Sequence, residues 1–224
     1  MLVSHTKGFV FLKTRKTAGT SIEMLLEPFC VPPGQDVAEI APAKRSRYGI
    51  VGARGVPGQR TVWRRDWRNH MPAERVRRNL GARRWDRYVK ISAVRNPFDR
   101  MVSLYHWLTG DPRQSPGCIA RFRRWLAAET WPDDARIVQI GGAWVVDRLI
   151  RFEHLTADLV SLSRALGLAL NPAALPQAKR AAPAAGPDPA AYFDAACTDI
   201  VRRRMAWAFE HGGYAEDPRL AGRG

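Results

Sequence analysis

Two apolar runs, each ending in a polar loop that leads into a helix, constrain this chain more than any other feature. Gly8-Phe9-Val10-Phe11-Leu12 opens into residues 13–21, after which Ile22, Leu25 and Leu26 fall at helical spacing until Pro28 stops the helix. Tyr88-Val89-Lys90-Ile91-Ser92-Ala93-Val94 is the strongest strand pattern, and Pro97 then starts a helix with Phe98, Met101, Val102, Tyr105 and Leu108 on one side. Repeated strand-loop-helix units with long crossovers predict an α/β fold, a central parallel sheet flanked by helices, with the ligand site at the carboxyl ends of the strands. At 224 residues and 46% apolar content, one domain over residues 1–224 is expected.

The rest of the pattern fits around those units. Tyr48 to Val51 reads as a short strand, Pro72 to Gly81 as a helix, Cys118 to Ala128 as an amphipathic helix, and Val145 to Phe152 as a strand. Thr156 is placed to cap a helix ending at Gly167, and a last helix is expected from Ala190 to Phe209. Residues 171–189 hold five prolines and many alanines and read as a linker or lid, with 216–224 as a flexible tail.

No stretch of about 18 apolar residues occurs, and the opening Met1 to Lys7 lacks an h-region, so no membrane span and a cytoplasmic location are expected. Cys30, Cys118 and Cys197 are odd in number and lie far apart, which suggests neither a disulfide framework nor a zinc site. The 36 basic and 21 acidic residues give a net charge of +15. Such a field gathers nucleotide, acidic glycan, nucleic acid or anionic lipid without choosing among them.

The first loop, Lys13-Thr14-Arg15-Lys16-Thr17-Ala18-Gly19-Thr20-Ser21, has small residues that let backbone N–H groups turn inward at the positive end of the helix starting near Gly19. It is an anion cradle, but not that of a nucleotide triphosphatase. Aligned to G-x-x-x-x-G-K-[ST] on Gly19 and Ser21, it has Thr14 where the first Gly belongs and Thr20 where the Lys belongs. The second strand ends in Arg95 instead of an Asp for Mg²⁺, and an arginine there attracts phosphate and repels metal, so no metal is expected. A P-loop kinase using ATP is therefore disfavoured.

Phe9 to Ser21 resembles the 5'-phosphosulfate loop of carbohydrate sulfotransferases of the heparan-sulfate 2-O type and their bacterial relatives, usually F-x-H-x-P-K-T-[AG]-G-T-S. Lys13 stands for the usual His and Arg15 for the usual Pro. Val94-Arg95-Asn96-Pro97-Phe98-Asp99-Arg100-Met101-Val102-Ser103 is similar to the family's 3'-phosphate signature, with Arg95 and Ser103 in the gripping places. Weaker similarity extends to Val146-Asp147-Arg148-Leu149-Ile150-Arg151-Phe152-Glu153-His154-Leu155, similar to the family's strand ending in R-F-E-x-L, and to Gly212-Gly213-Tyr214. The resemblance implies a P-loop NTPase-like fold and a 3'-phosphoadenosine 5'-phosphosulfate (PAPS) donor bound by Arg15, Lys16, Thr17, Ala18, Gly19, Thr20, Ser21, Arg95 and Ser103. It further implies a hydroxyl acceptor, glycan or other small molecule, which the arginines suggest is acidic.

Within that frame Lys16 is assigned to the bridging oxygen and sulfonate, where charge grows as the donor breaks. Asn69-His70-Met71-Pro72-Ala73 resembles the family segment bearing the catalytic His, and a helix N-terminus beside it would keep the ring neutral, so His70 is the expected base. Glu23 is a rival base, with a surface charge opposite Ile22 and Leu26 as its plainer reading. His106, His154, His5 and His211 carry less weight. Trp63, Arg64, Arg65, Trp67 and Arg68 suit either an acceptor groove or a core with a solvated rim. Lys179 and Arg180 belong to a surface linker or a closing lid. The clusters Arg75-Arg77-Arg78, Arg83-Arg84-Arg87 and Arg202-Arg203-Arg204 leave open a non-enzymatic nucleic-acid-binding protein, although no recognised nucleic-acid motif accompanies them.

Overall fold

The computed structural model describes residues 1–55, 67–176 and 187–220. Its strands are β1 (Leu2–Ser4), β2 (Phe9–Leu12), β3 (Lys44–Arg45), β4 (Gly49–Val51), β5 (Val89–Val94), β6 (Gln139–Ile140), β7 (Ala143–Trp144) and β8 (Arg148–Arg151). Its helices are α1 (Gly19–Leu26), α2 (Ala73–Leu80), α3 (Ala82–Arg87), α4 (Pro97–Thr109), α5 (Cys118–Ala127), α6 (Ala135–Val138), α7 (Leu155–Leu166), α8 (Ala195–Arg204) and α9 (Ala206–Gly212).

The two strand-loop-helix units of the sequence are both present, as β2-α1 and β5-α4, and β2 pairs parallel to β5 with Phe11 opposite Ile91. The six-stranded sheet runs β3-β4-β1-β2-β5-β8. It is mixed, where a parallel sheet is expected. β1 lies antiparallel to both β2 and β4, and β3 antiparallel to β4. The physical reason is the short connection of residues 5–8, which can join only antiparallel neighbours, a parallel pair needing a crossover of a dozen residues or more. β6 and β7 form a separate hairpin around Gly141 and Gly142, both at positive φ, the two-residue turn that suits strand twist.

Contacts divide the chain into two compact units. The first comprises Met1–Ala93, Asp134–Ile150 and the described part of His154–Ala178. Its core joins Phe9 and Phe11 of β2 and Ile91 of β5 to Ile22 and Leu26 of α1 and Leu159 and Leu162 of α7. The second comprises Val94–Asp133, Arg151–Glu153 and the described part of Lys179–Gly224. Aromatic rings fill it: Phe98 meets Phe193 at 5.0 Å and Phe209 at 5.3 Å, and Phe122 meets Tyr192 at 5.1 Å between centroids.

Three boundaries differ from the sequence pattern. α7 begins at Leu155 with His154 in the N-cap place and no side-chain cap, so Thr156 is inside the helix. The expected last helix is broken into α8 and α9 at Met205, whose buried side chain turns in to Arg100. α3 adds a second short helix after Gly81. Among the described residues no helix is long and apolar enough to cross a membrane, and no group of three His, Cys, Asp or Glu could hold a metal ion. Residues 177–186 of the expected lid and 221–224 of the expected tail lie outside the described residues.

Candidate functional site

In the first unit the loop after β2 is tied down by side chains on both flanks. Ser92 Oγ donates to the Leu12 carbonyl at 2.7 Å, and Thr14 Oγ1 donates to the Ala93 carbonyl at 2.5 Å while lying 3.0 Å from Thr17 Oγ1. The exit of β2 is thus stapled to the parallel neighbour β5. Beyond it the backbone takes two left-handed residues, Lys16 at φ 64° and Ala18 at φ 57°, a conformation that L side chains resist. Ala18 supplies no side-chain cap to α1. The first-turn N–H groups have no helical carbonyl to bond, and they lie at the positive end of the helix.

The two residues that depart from the family pattern are both held by buried carboxylates. Lys13 Nζ donates to Glu23 Oε2 at 2.5 Å and to Thr20 Oγ1 at 3.1 Å. Its aliphatic chain passes over Gly19, where an added Cβ would sit 2.8 Å from Lys13 Cγ, so only glycine admits it. Glu23 is 0% exposed. It is neither a surface charge nor an unengaged base. Arg15 donates its backbone N–H to Asp134 Oδ2 at 2.6 Å and its guanidinium to Asp134 Oδ1. The Arg15 guanidinium, expected on a ligand, is therefore engaged by an internal carboxylate, and no sequence motif marks Asp134.

His70 is brought to this loop across 57 residues of chain, its Nδ1 lying 3.0 Å from the Lys13 carbonyl. A carbonyl only accepts, so in the neutral ring the proton sits on Nδ1 and the lone pair on Nε2. Burial above all, and then the Arg15 and Lys13 cations, lower the His70 pKa to about 3, with Asp134 opposing. Neutrality therefore has a different cause from the helix terminus expected. His70 itself stands at φ 56°. Three of the four non-glycine residues at positive φ among the described residues, Lys16, Ala18 and His70, are thus candidate site residues. The structure gathers Arg15, Lys16, Thr17, Ala18, Gly19, Thr20, Ser21 and His70 in one unit.

The second unit carries the other motif. Asn96 caps α4, its side chain accepting from the N–H of Phe98 at 3.0 Å and of Asp99 at 3.4 Å. Its own N–H donates to Glu153 Oε1 at 2.8 Å, and Tyr214 donates its hydroxyl to Glu153 Oε2 at 2.6 Å. The weakly similar Glu153 and Tyr214 thus anchor the turn that presents Arg95. The Arg95 guanidinium stacks on Phe152, 4.4 Å from the ring centroid, and its Nε is buried without a hydrogen-bond partner. Burial lowers its pKa, Asp99 and Glu153 pulling the other way. Ser103 lies one turn beyond Asp99 on the same face of α4, half-buried.

The other histidines have separate work. His106 has Nδ1 2.5 Å from the Asp111 carbonyl and Nε2 3.0 Å from Tyr192 Oη, while His5 Nδ1 lies 3.0 Å from Tyr88 Oη. His154 is exposed. Trp67 is 3% exposed and belongs to the core, whereas Arg68 is exposed. Trp63, Arg64, Arg65, Lys179 and Arg180 lie outside the described residues. Of the basic clusters, Arg203 and Arg204 pair with Glu129, and Arg202 with Asp199 and Glu216. Arg77 and Arg78 on α2 and Arg83, Arg84 and Arg87 on α3 are exposed.

The model of the sulfotransferase family matches residues 1–140, which include the first loop, His70, Arg95, Ser103 and Asp134. No curated protein and no solved structure matches the chain. With more than half of its length matched, the chain belongs to the sulfotransferase family.

Proposed function

We propose that this chain moves the sulfonate of PAPS to an acceptor hydroxyl by in-line transfer. Arg15 to Ser21 take the 5'-phosphosulfate, Arg95 and Ser103 the 3'-phosphate, and His70 the proton. The observation that carries the reading is the neutral His70 ring beside the donor loop, with Nδ1 engaged by the Lys13 carbonyl and the Nε2 lone pair left as acceptor. The buried, unpartnered Nε of Arg95 and the uncapped start of α1 are the atoms a bisphosphorylated nucleotide would satisfy. A β-strand, a phosphate-holding loop and a helix beside a parallel neighbour also support a P-loop NTPase-like arrangement.

In this reading the acceptor oxygen attacks sulfur as the bond from sulfur to the bridging oxygen breaks, with the leaving electrons on the 5'-phosphate. Lys16 stabilises that charge and Nε2 of His70 receives the hydroxyl proton. A ring with a pKa near 3 is a weak base until the donor arrives. The donor's anionic groups offset the Arg15 and Lys13 cations and raise its basicity at the moment it is needed. We take the acceptor to be a carbohydrate by resemblance, an acidic one being favoured by the exposed arginines of α2 and α3. We place the protein in the cytoplasm, a setting that suits the unbridged, buried Cys30, Cys118 and Cys197.

Thermal unfolding with added ligands tests the proposal. Adenosine 3',5'-bisphosphate without Mg²⁺ is expected to raise the midpoint, by the mass-action stabilisation of a ligand that binds only the folded chain. ATP with Mg²⁺, or DNA, giving the larger shift would sink it. A labelled-sulfonate screen over hydroxyl acceptors, neutral and acidic, then identifies the acceptor class.

A further inference from the structure

We propose that Asp134 is a positioning residue for the donor loop, clamping Arg15 through both main chain and side chain so that the strained segment after it is held ready for an anion. The proposal rests on the reading of residues 15–21 as the phosphosulfate site.

Asp134 is 1% exposed and stands just before α6. It turns both carboxylate oxygens on one residue: Oδ2 accepts the Arg15 N–H at 2.6 Å, and Oδ1 accepts from the guanidinium. Two bonds from one rigid carboxylate to the main chain and the side chain of the same residue fix its orientation as well as its position. The very next residue is Lys16, at φ 64°, and Ala18 follows at φ 57°. Such conformations persist only where the surroundings over-determine them. Within the loop that restraint includes Thr14 on the β5 side and Asp134 on the other.

The identity of residue 15 sharpens the inference. The loop pattern this chain resembles carries proline there, whose ring fixes φ covalently and which has no N–H to satisfy. Arg15 lacks the ring and exposes an N–H, and it is this N–H that Asp134 accepts. An ion pair and a main-chain hydrogen bond here do the conformational work a proline ring does elsewhere. Asp134 also faces His70 electrostatically, opposing the Arg15 cation there, so the clamp keeps Arg15 near His70 without leaving its charge unbalanced.

The test uses the full chain as wild type, Asp134→Ala, Arg15→Pro and the double variant, with Asp134→Asn retained in case the alanine variant unfolds. Two readouts are taken: donor KM and kcat, and the rate of tryptic cleavage after Lys16 mapped by mass spectrometry without donor. Loss of the clamp is expected to raise Lys16 cleavage and donor KM each by about tenfold, with cleavage elsewhere and acceptor KM unchanged. In the Arg15→Pro background, Asp134→Ala is expected to add less than about twofold, because the proline replaces what the clamp supplied.

Wild-type cleavage and donor KM in a folded Asp134→Ala or Asp134→Asn chain would overturn the proposal. So would an undiminished effect of Asp134→Ala in the Arg15→Pro background. If cleavage responds as expected while wild type shows no affinity for adenosine 3',5'-bisphosphate, the clamp is supported and the donor reading is what fails.

Discussion

Lys16, Arg95 and His70 are assigned different parts of one reaction, and their substitutions are expected to separate. In the proposed reaction Lys16→Ala would remove the cation assigned to the leaving oxygen, so kcat is expected to fall by about a thousandfold, the size of a lost oxyanion donor, in a labelled-sulfonate assay. In the same reaction Arg95→Ala would remove the charge-assisted bonds assigned to the 3'-phosphate, and donor KM is expected to rise roughly 10- to 100-fold with a smaller change in kcat. His70→Ala is expected to lose turnover and to keep binding adenosine 3',5'-bisphosphate, read by calorimetry. His70 also makes a pH prediction. Its folded pKa of about 3 lies below the ordinary 6.5, so the unfolded chain takes up a proton first as pH falls. The contribution is intact above about 6.5 and is lost progressively toward 3. Urea melts from pH 7 down to 4 are expected to show a shallower loss of stability in His70→Asn than in wild type. Equal slopes would remove His70 as a group buried neutral.

At the scale of the element, the β2-α1 connection holds its shape against local preference. Ala18, at φ 57°, occupies a conformation that costs an L residue roughly 1–2 kcal/mol and glycine almost nothing. Ala18→Gly is therefore expected to raise the unfolding midpoint slightly or leave it unchanged with transfer retained. Ala18→Val, β-branched and resisting the same conformation more, is expected to lower both midpoint and donor affinity. Thermal melts with and without adenosine 3',5'-bisphosphate check the pair. A stable, tightly binding Ala18→Val chain would mean that the left-handed turn is not needed for the donor. The loop was legible in its composition, because small residues between an apolar strand and a helix announce a backbone cradle. Its struts were not legible. Glu23 reads as a surface charge on the helical wheel, and only the path of Lys13 over Gly19 shows why a carboxylate is buried there. The β6-β7 hairpin had a usable signal in Gly141-Gly142 flanked by apolar residues, and the antiparallel β1 had one in the four-residue step to β2.

For the molecule as a whole, if the donor is PAPS as proposed, the charge of +15 is expected to set how fast that polyanion is gathered. Raising salt from about 0.02 to 0.3 M shortens the screening length severalfold. The expected result is a steep fall in kcat/KM for the donor with little change in kcat. A salt-independent kcat/KM would confine the arginine excess to solvation. Short-range pattern in the sequence encodes an α/β chain with two strand-loop-helix units, a loop of small residues at 15–21 leading into a helix, and an arginine at the end of the second strand. Pairings between distant residues come from the folded chain alone. Arg15 meets Asp134 across 119 positions and His70 meets the Lys13 carbonyl across 57. Periodicity and turn chemistry act over a few residues, whereas burial of a carboxylate, the tautomer of an imidazole and the direction of a neighbouring strand depend on what the folded chain brings alongside.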